Sequence, residues 1–380
     1  MSDGRIQGNR TIAELRMKRS PHLIVYFSHR DLIFENYITR QAFRGSPDTI
    51  KLLDSFDEWK TPMQTSLELS GYTRKSVLDS ARNLLERGLL ITKQSDQAKI
   101  ADQFGEDWEW PTASKYYHFS SKIDEPFASP SEIRGYYLKH LKGRKQPSIY
   151  KSYPSSPKIR LPTPSGPNVP LFVTLGRRIT TREFSGLPIT LKQLSIILYN
   201  TWGEISTYRT QEFGRLLHKT SPSAGGRHPI EAYAIVNGVK GISPGVYHYS
   251  ARDHSLELLR AGDFKSKCES LTAGQVWTRD ASVLFFMTAV VARTAWKYRV
   301  PRVYRAFLLD AGHLSQSFLL SSTGLGLGAF CIGVFSDVTV ERELGLDGVN
   351  EIALFGVGVG HVATTRRRQG TKRLTQIENV

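Results

Sequence analysis

RTAWKYRVPRVYRAFLLDAGHLSQSFLLSSTGLGLGAFC, residues 293–331, is the stretch from which the rest of the chain is best read. Phe307, Leu308, Ala311, Leu314, Phe318 and Leu319 recur at intervals of three and four, the spacing of one broad apolar helix face. The spacing predicts a helix over residues 304–322, ended by the Gly-Leu-Gly-Leu-Gly run at 324–328. A membrane span needs about 20 uninterrupted apolar residues. Asp310, His313 and Gln316 interrupt this one. Such a helix belongs inside a large soluble domain, with chemistry expected at its polar N-terminal end, WKYR followed by VPRVYR.

The chain of 380 residues is long enough for two cores. Lys and Arg number 51 against 35 Asp and Glu, a formal charge of +16. That excess points to an acidic or polyanionic partner, whether nucleic acid, an anionic cofactor or an acidic peptide. Cys268 and Cys331 have neither metal-ligand spacing nor the makings of a disulfide framework, so no metal site is expected and a reducing, cytoplasmic setting is. The N-terminal segment has no apolar signal core, and no membrane segment is expected.

Ahead of the long helix, the runs LIVYF at 23–27 and LIFENYI at 32–38 predict a hairpin. Residues 61–93 then read as two amphipathic helices about Gly71, with Thr73 as an N-cap, Val77, Ala81, Leu84 and Leu85 as the buried face, and a strand at 89–92. This is a winged-helix-like pattern. DNA binding would need base-reading and phosphate-contacting side chains on the second helix, but Asp79 and Glu86 dilute Arg74, Lys75, Arg82 and Arg87. A docking module for a peptide or protein is the preferred reading, and nucleic acid is not expected. Residues 133–182 contain no acid and become rich in Pro and Ser, which reads as a basic extended linker. The expected organisation is therefore an N-terminal docking domain at 1–130, a linker at 131–169 and a catalytic domain at 170–380.

The catalytic domain opens on LGRRITTREFSGLPIT, where three arginines and two threonines within six residues present donors suited to a phosphate. Next, Ser223-Ala-Gly-Gly is a tight turn that exposes backbone N–H groups, with a strand directly after it. It matches neither the dinucleotide fingerprint nor a P-loop. VYHY and SLELL form a hairpin, 281–291 and 352–359 read as buried strands, and the mixture is α+β. His313 reads as a structural histidine, Cys331 as a small buried filler, and His228, beside the glycines, as a residue of the turn more than a substrate contact.

Several stretches together carry a resemblance. Arg178-Ile-Thr180-Thr-Arg182-Glu-Phe184, the Ser223 turn, the glycine run before CIGVF and Arg366-x-Arg368 resemble, in order and spacing, the flavin-holding stretches of the nitroreductase superfamily. More narrowly, KYR-x-x-R-x-YR-x-x-x-LDAGHLSQ is similar to the SagB-type dehydrogenases, which include thiazoline and oxazoline oxidases of peptide natural-product biosynthesis.

The resemblance implies a nitroreductase-like FMN-binding α/β sandwich, with one FMN per subunit at a homodimer interface. By position, Arg178, Thr180, Arg182, Arg366 and Arg368 would hold the phosphate and ribityl chain. Ser223, Gly225 and Gly226 would line the ring, and the backbone at Gly333 would face its N5. Simple nitroreductases carry a glutamate where this chain reads Ile332-Gly333-Val334. The implied activity is that of an FMN-dependent dehydrogenase oxidising azolines to azoles in a ribosomally made precursor peptide, with a cyclodehydratase or another maturation enzyme as partner. The alternatives are a general NAD(P)H-dependent nitro or quinone reductase, a reductase of dehydrated residues in such a peptide, and a flavin-sensing DNA-binding regulator. Lys297 and Tyr298 are the expected catalytic pair. Either the adjacent ammonium makes a phenolate of Tyr298 or a desolvated Lys297 is itself the base. Both can face one site only in an irregular turn, which Pro301 provides.

Overall fold

The computed structural model describes residues 11–123 and 129–363, so Arg366 and Arg368 lie outside the described residues. The chain divides into two compact units, Met1–Glu125 and Pro126–Val380.

In the first unit the order is β1 (Met17–Arg19), β2 (Leu23–Ser28), β3 (Asp31–Asn36), β4 (Gln41–Gly45), α1 (Pro47–Asp54), α2 (Pro62–Glu68), α3 (Arg74–Glu86), β5 (Leu90–Thr92), α4 (Asp96–Asp107) and α5 (Thr112–Ser120). The expected hairpin is β2 and β3, and β4 completes an antiparallel sheet. Both helices of the helix-turn-helix start on threonine caps. Thr61 Oγ1 accepts from the Gln64 N–H at 3.2 Å, and Thr73 Oγ1 from the Ser76 N–H at 3.1 Å. Val77, Ala81 and Leu84 of α3 pack with Met17, Phe34, Leu53 and Phe56 in one core. Gly88 at φ 68° ends the helix, and β5 returns to pair with β1.

The second unit runs α6 (Pro130–Leu141), β6 (Lys158–Arg160), α7 (Leu171–Arg177), β7 (Ile189–Thr190), α8 (Leu191–Trp202), β8 (Ser206–Thr210), β9 (Gly214–His218), β10 (Ile230–Val236), β11 (Val239–Lys240), β12 (Gly245–Ser250), β13 (Ser255–Ala261), α9 (Lys265–Leu271), β14 (Val283–Val290), α10 (Val291–Ala295), α11 (Val303–Gly324), β15 (Gly328–Ile332), α12 (Asp337–Leu344) and β16 (Glu351–Gly360). Seven strands form one sheet in the order β15-β16-β14-β10-β12-β13-β6, every pairing antiparallel. Side chains alternate across a strand, and the two faces meet different helices. Ala232, Ala234, Phe285 and Met287 pack with Leu194, Leu198 and Trp202 of α8 and Phe307, Leu314 and Phe318 of α11. Tyr233, Ile235, Leu284 and Phe286 pack with Cys268 and Leu271 of α9 and Val340 and Leu344 of α12. The helix predicted at 304–322 is α11, the central element of the first layer. Among the described residues no helix is long and apolar enough to cross a membrane.

The linker expected at 131–169 is corrected by this fold. Its residues supply α6 and the edge strand β6, which pairs with β13. The basic run has no acids of its own because it meets acids from distant parts of the same unit. Arg134 reaches Glu212 at 2.5 Å, Lys158 reaches Asp253 at 3.0 Å, and Lys151 is paired with Glu351. Flanking prolines are tolerated at an edge, where one side of the strand makes no ladder bonds.

Candidate active site

One end of the sheet, where β10 begins and β14 finishes, gathers the chemically capable residues. The chain arrives there through a single turn at Ala224–Gly226, with Gly225 at φ 61° and Gly226 at φ 65°. A β-carbon on Gly225 would overlap the Tyr298 hydroxyl and stand 3.0 Å from Lys297 Nζ, so the turn needs a bare backbone there. Ser223 Oγ donates to Asp310 Oδ2 at 2.5 Å and accepts from the His228 N–H at 2.9 Å, while the Ala224 N–H donates to Asp310 Oδ1 at 3.2 Å. Asp310 is buried in α11 and serves as the post to which the turn is tied. Burial raises its pKa, against the lowering effect of these two bonds.

Lys297 and Tyr298 lie in the break between α10 and α11, the irregular turn that Pro301 predicts. Only 8% of Lys297 is exposed. Its Nζ stands 3.9 Å from the Phe213 ring centroid, 5.4 Å from that of Tyr137 and 5.2 Å from that of Tyr298. Among the described residues no carboxylate forms an ion pair with it. Burial, and then the nearby Arg227, hold its pKa below the ordinary lysine value. Tyr298 behaves in the opposite way. Burial, with Tyr137 packed edge-on at 5.2 Å, pushes its pKa up to about 12. The phenolate expected from the adjacent ammonium meets the opposite influence here, burial and Tyr137 outweighing the lowering effect of Arg227. Of the two, Lys297 is the group whose environment favours its uncharged, proton-accepting form.

A buried ionic chain supports this end of the sheet. Arg293 of α10 pairs with Glu231 of β10 at 2.5 Å and also donates to the carbonyls of Ser148 and His228, at 2.9 and 3.2 Å. His248 bridges Glu231 and Glu257 at 3.1 and 2.9 Å. Burial raises the Glu231 pKa, but Arg293 and His248 lower it more, to about 2. Sequence reading missed Asp310, Glu231, His248 and Arg293 as supports of the site. The available signal was an acid inside an otherwise apolar helix face or strand, at Asp310 and at Glu231 in IEAYAIV.

His228 belongs to the turn as expected. Its Nε2 faces the Leu217 carbonyl at 3.1 Å, and burial followed by Lys219 lowers its pKa to about 3. Two other expectations are corrected. His313 is exposed on α11, and Cys331 is exposed on the edge strand β15, because each points off the apolar face its neighbours share. Gly333 follows β15 and is exposed.

The remaining site residues lie elsewhere. Thr180 bridges Ala329, and the Thr181 N–H donates to the Ala329 carbonyl at 2.9 Å, so residues 178–182 run along the start of β15. The described chain leaves at the same place, the Ala363 N–H donating to the Glu183 carbonyl at 3.1 Å. The register carries Ala329 through Val359 and Val283 to Val236, the far end of β10 from Ile230. At about 3.3 Å per residue, the arginine stretch and the Ser223 turn are held roughly 20 Å apart along the strands, and three strand positions apart across the sheet, in one chain.

Comparison with known proteins gives this geometry a family. The nitroreductase family profile matches residues 175–361. A protein of Methanocaldococcus jannaschii named as a nitroreductase is 32% identical over 168 residues, 44% of this chain and 80% of that one. The trifolitoxin-processing protein TfxB of Rhizobium leguminosarum bv. trifolii is 30% identical over 344 residues, 86% of this chain and 87% of its own length. The chain belongs to the nitroreductase family. It is a flavin-dependent oxidoreductase by that membership, and its second unit has the nitroreductase fold. A crystal structure of a nitroreductase from Anabaena variabilis shares that fold, with a TM-score of 0.51 and 24% identity, over 67% of this chain and 49% of that protein's length.

The residues present suit the family's flavin. Arg178 is half-buried, and among the described residues no carboxylate forms an ion pair with it. Arg182 stacks on the Trp277 ring at 5.3 Å. A guanidinium without an acidic partner, a threonine hydroxyl and a stacked guanidinium are the donor set a phosphate needs. At the other end, the glycine turn brings its bare backbone up to the Tyr298 hydroxyl and the Lys297 amine.

Proposed function

We propose that this nitroreductase-family enzyme is an FMN-dependent dehydrogenase that oxidises an azoline ring of a ribosomally made peptide to an azole. The observation that carries the reading is Lys297, a buried amine with no carboxylate ion-paired to it among the described residues and placed, with Tyr298, against the glycine turn. Aromatising an azoline removes one hydrogen as hydride and one as a proton. FMN, when bound, supplies the hydride acceptor. Arg178, Thr180 and Arg182, with Arg366 and Arg368, would hold its phosphate and ribityl chain, and Ser223, Gly225, Gly226 and Gly333 its ring. Lys297 Nζ takes the proton, and the neutral Tyr298 hydroxyl orients the ring heteroatom by donating a hydrogen bond.

The separation of the arginine stretch from the glycine turn supports a homodimer, in which one subunit's arginines and its partner's turn meet around one flavin. The peptide reading is supported by the extent of the match to the trifolitoxin-processing protein. It spans 86% of this chain, more than Pro126–Val380 contains, and so reaches into the first unit. That unit would grip the peptide or a cyclodehydratase partner, raising the effective concentration of the ring at the site. The test is incubation of the FMN-loaded protein with precursor peptides encoded near its gene. A loss of about 2 Da per ring is expected. A gain of the same mass would turn the reading to a reductase of dehydrated residues, and no change with any such peptide would end it.

A further inference from the structure

Arg227 has no place in the site as drawn so far, yet it is 1% exposed and stands among the reacting groups. Its guanidinium lies 4.7 Å from the ring centroid of Trp296, the residue before Lys297. Its Nε donates to the Arg293 carbonyl at 2.9 Å, while Nη1 and Nη2 are buried and have no hydrogen-bond partner. Among the described residues no carboxylate forms an ion pair with it. The surrounding acids are already committed: both Asp310 oxygens to Ser223 and Ala224, and Glu231 to Arg293 and His248.

We propose that Arg227 is a positioning residue that disfavours the protonated form of Lys297, by presenting an unneutralised guanidinium beside the same glycine turn. This rests on the reading of Lys297 as the base. Two buried cations without a counter-ion cannot both keep their charge cheaply, because low-dielectric surroundings strengthen their repulsion. Which one yields is decided by intrinsic basicity. A guanidinium stays charged in proteins, whereas a desolvated lysine beside another cation readily loses its proton.

Burial is the first source of the effect, and the charged groups around Lys297 decide what is added to it. Tyr137 of α6 and Tyr298 are neutral phenols, Phe213 is apolar, Arg293 is matched by Glu231, and Asp310 is matched by the turn it holds. Lys219, which among the described residues also has no ion pair, lines the cavity with Ser223, His228 and Asp310, and the unpaired charge that acts on Lys297 is that of Arg227. Its place is fixed from outside the site, since Arg293, whose carbonyl holds it, is itself anchored to Glu231 and to Ser148.

The experiment is a pH titration of the full-length protein labelled with 13C at the lysine ε-carbons, read by NMR. The Lys297 signal is assigned by its disappearance in Lys297→Gln. The wild-type midpoint is expected below that of the surface lysines. In Arg227→Gln and in the longer, neutral Arg227→Met, it is expected to rise by about one unit, roughly a tenfold change in protonation. Thermal melts accompany each variant. Lys297 titrating with the surface lysines in the wild type overturns the proposal even if both neutral variants fail to fold. An unmoved midpoint in a folded neutral variant overturns it as well. The titration needs no peptide, so a depressed Lys297 in a protein that changes no peptide's mass would sink the azoline reading and leave the tuning by Arg227 standing.

Discussion

Ser223 Oγ donates to Asp310 Oδ2 across 2.5 Å, joining the turn that precedes β10 to the middle of α11. The same carboxylate takes the Ala224 N–H, so one buried acid fixes two consecutive residues of the turn. Asp310→Ala is expected to lower stability by about 3 kcal/mol, since hydrogen bonds to a charged group contribute about 1.5–3 kcal/mol each and part is recovered by water. Asp310→Asn, which keeps one acceptor oxygen, should lose less. Urea unfolding measures both, and an Asp310→Ala midpoint equal to wild type would show that the tie is idle.

Lys297→Ala should keep the fold and the bound flavin while kcat on the peptide falls by about 10²–10⁴, the usual contribution of a general base. Tyr298→Phe removes one neutral donor and should cost about tenfold. A larger loss for Tyr298→Phe than for Lys297→Ala would reverse the roles assigned to the two.

Gly225→Ala should damage the site more than its one added carbon suggests. The residue sits at φ 61°, and the new methyl would displace the Tyr298 hydroxyl. The left-handed backbone costs an L-residue about 1–2 kcal/mol. Turnover is expected to fall at least tenfold while the secondary structure seen by circular dichroism stays that of wild type.

Arg178→Ala should weaken flavin retention by about 10–100-fold, the loss of one charge-assisted contact to a phosphate. Dialysis followed by flavin fluorescence reads this directly. Retention equal to wild type would remove Arg178 from the phosphate site.

His228 gives a pH signature. Its folded pKa, lowered to about 3 by burial and Lys219, lies below the unfolded value of about 6.5. The stability it contributes as a neutral ring is complete above the unfolded value and is lost as pH falls from there toward 3, because the unfolded chain takes the proton first. Between pH 7 and pH 5 the wild type should lose about 2 kcal/mol more than His228→Gln, measured by urea unfolding. Parallel losses in the two proteins would show that His228 charges freely in the fold.

Much of the molecule was legible in one dimension. The spacing of Phe307, Ala311, Leu314 and Phe318 marks α11, the caps Thr61 and Thr73 mark two helix starts, and the β-rich runs at 230–236 and 283–290 mark buried strands. These features are local. A helix face repeats every three or four residues and a cap acts over three, so the information sits within a turn of where it is used. The motif KYR-x-x-R-x-YR likewise carried the family, because its residues are neighbours in the chain.

What only the tertiary structure decided depends on partners far apart in sequence and on water being excluded. Residues 131–169 read as a solvated linker until Lys151 meets Glu351 and Lys158 meets Asp253, which makes an edge strand of them. Asp310 is one polar residue in a helix until Ser223 reaches it from 87 positions away. The protonation of Tyr298 and Lys297 was undecidable from their adjacency, since an ammonium beside a phenol lowers its pKa and burial raises it. Burial, with Tyr137 packed on the ring from a distant segment, raises the phenol's pKa to about 12, while burial and then Arg227 lower that of the amine.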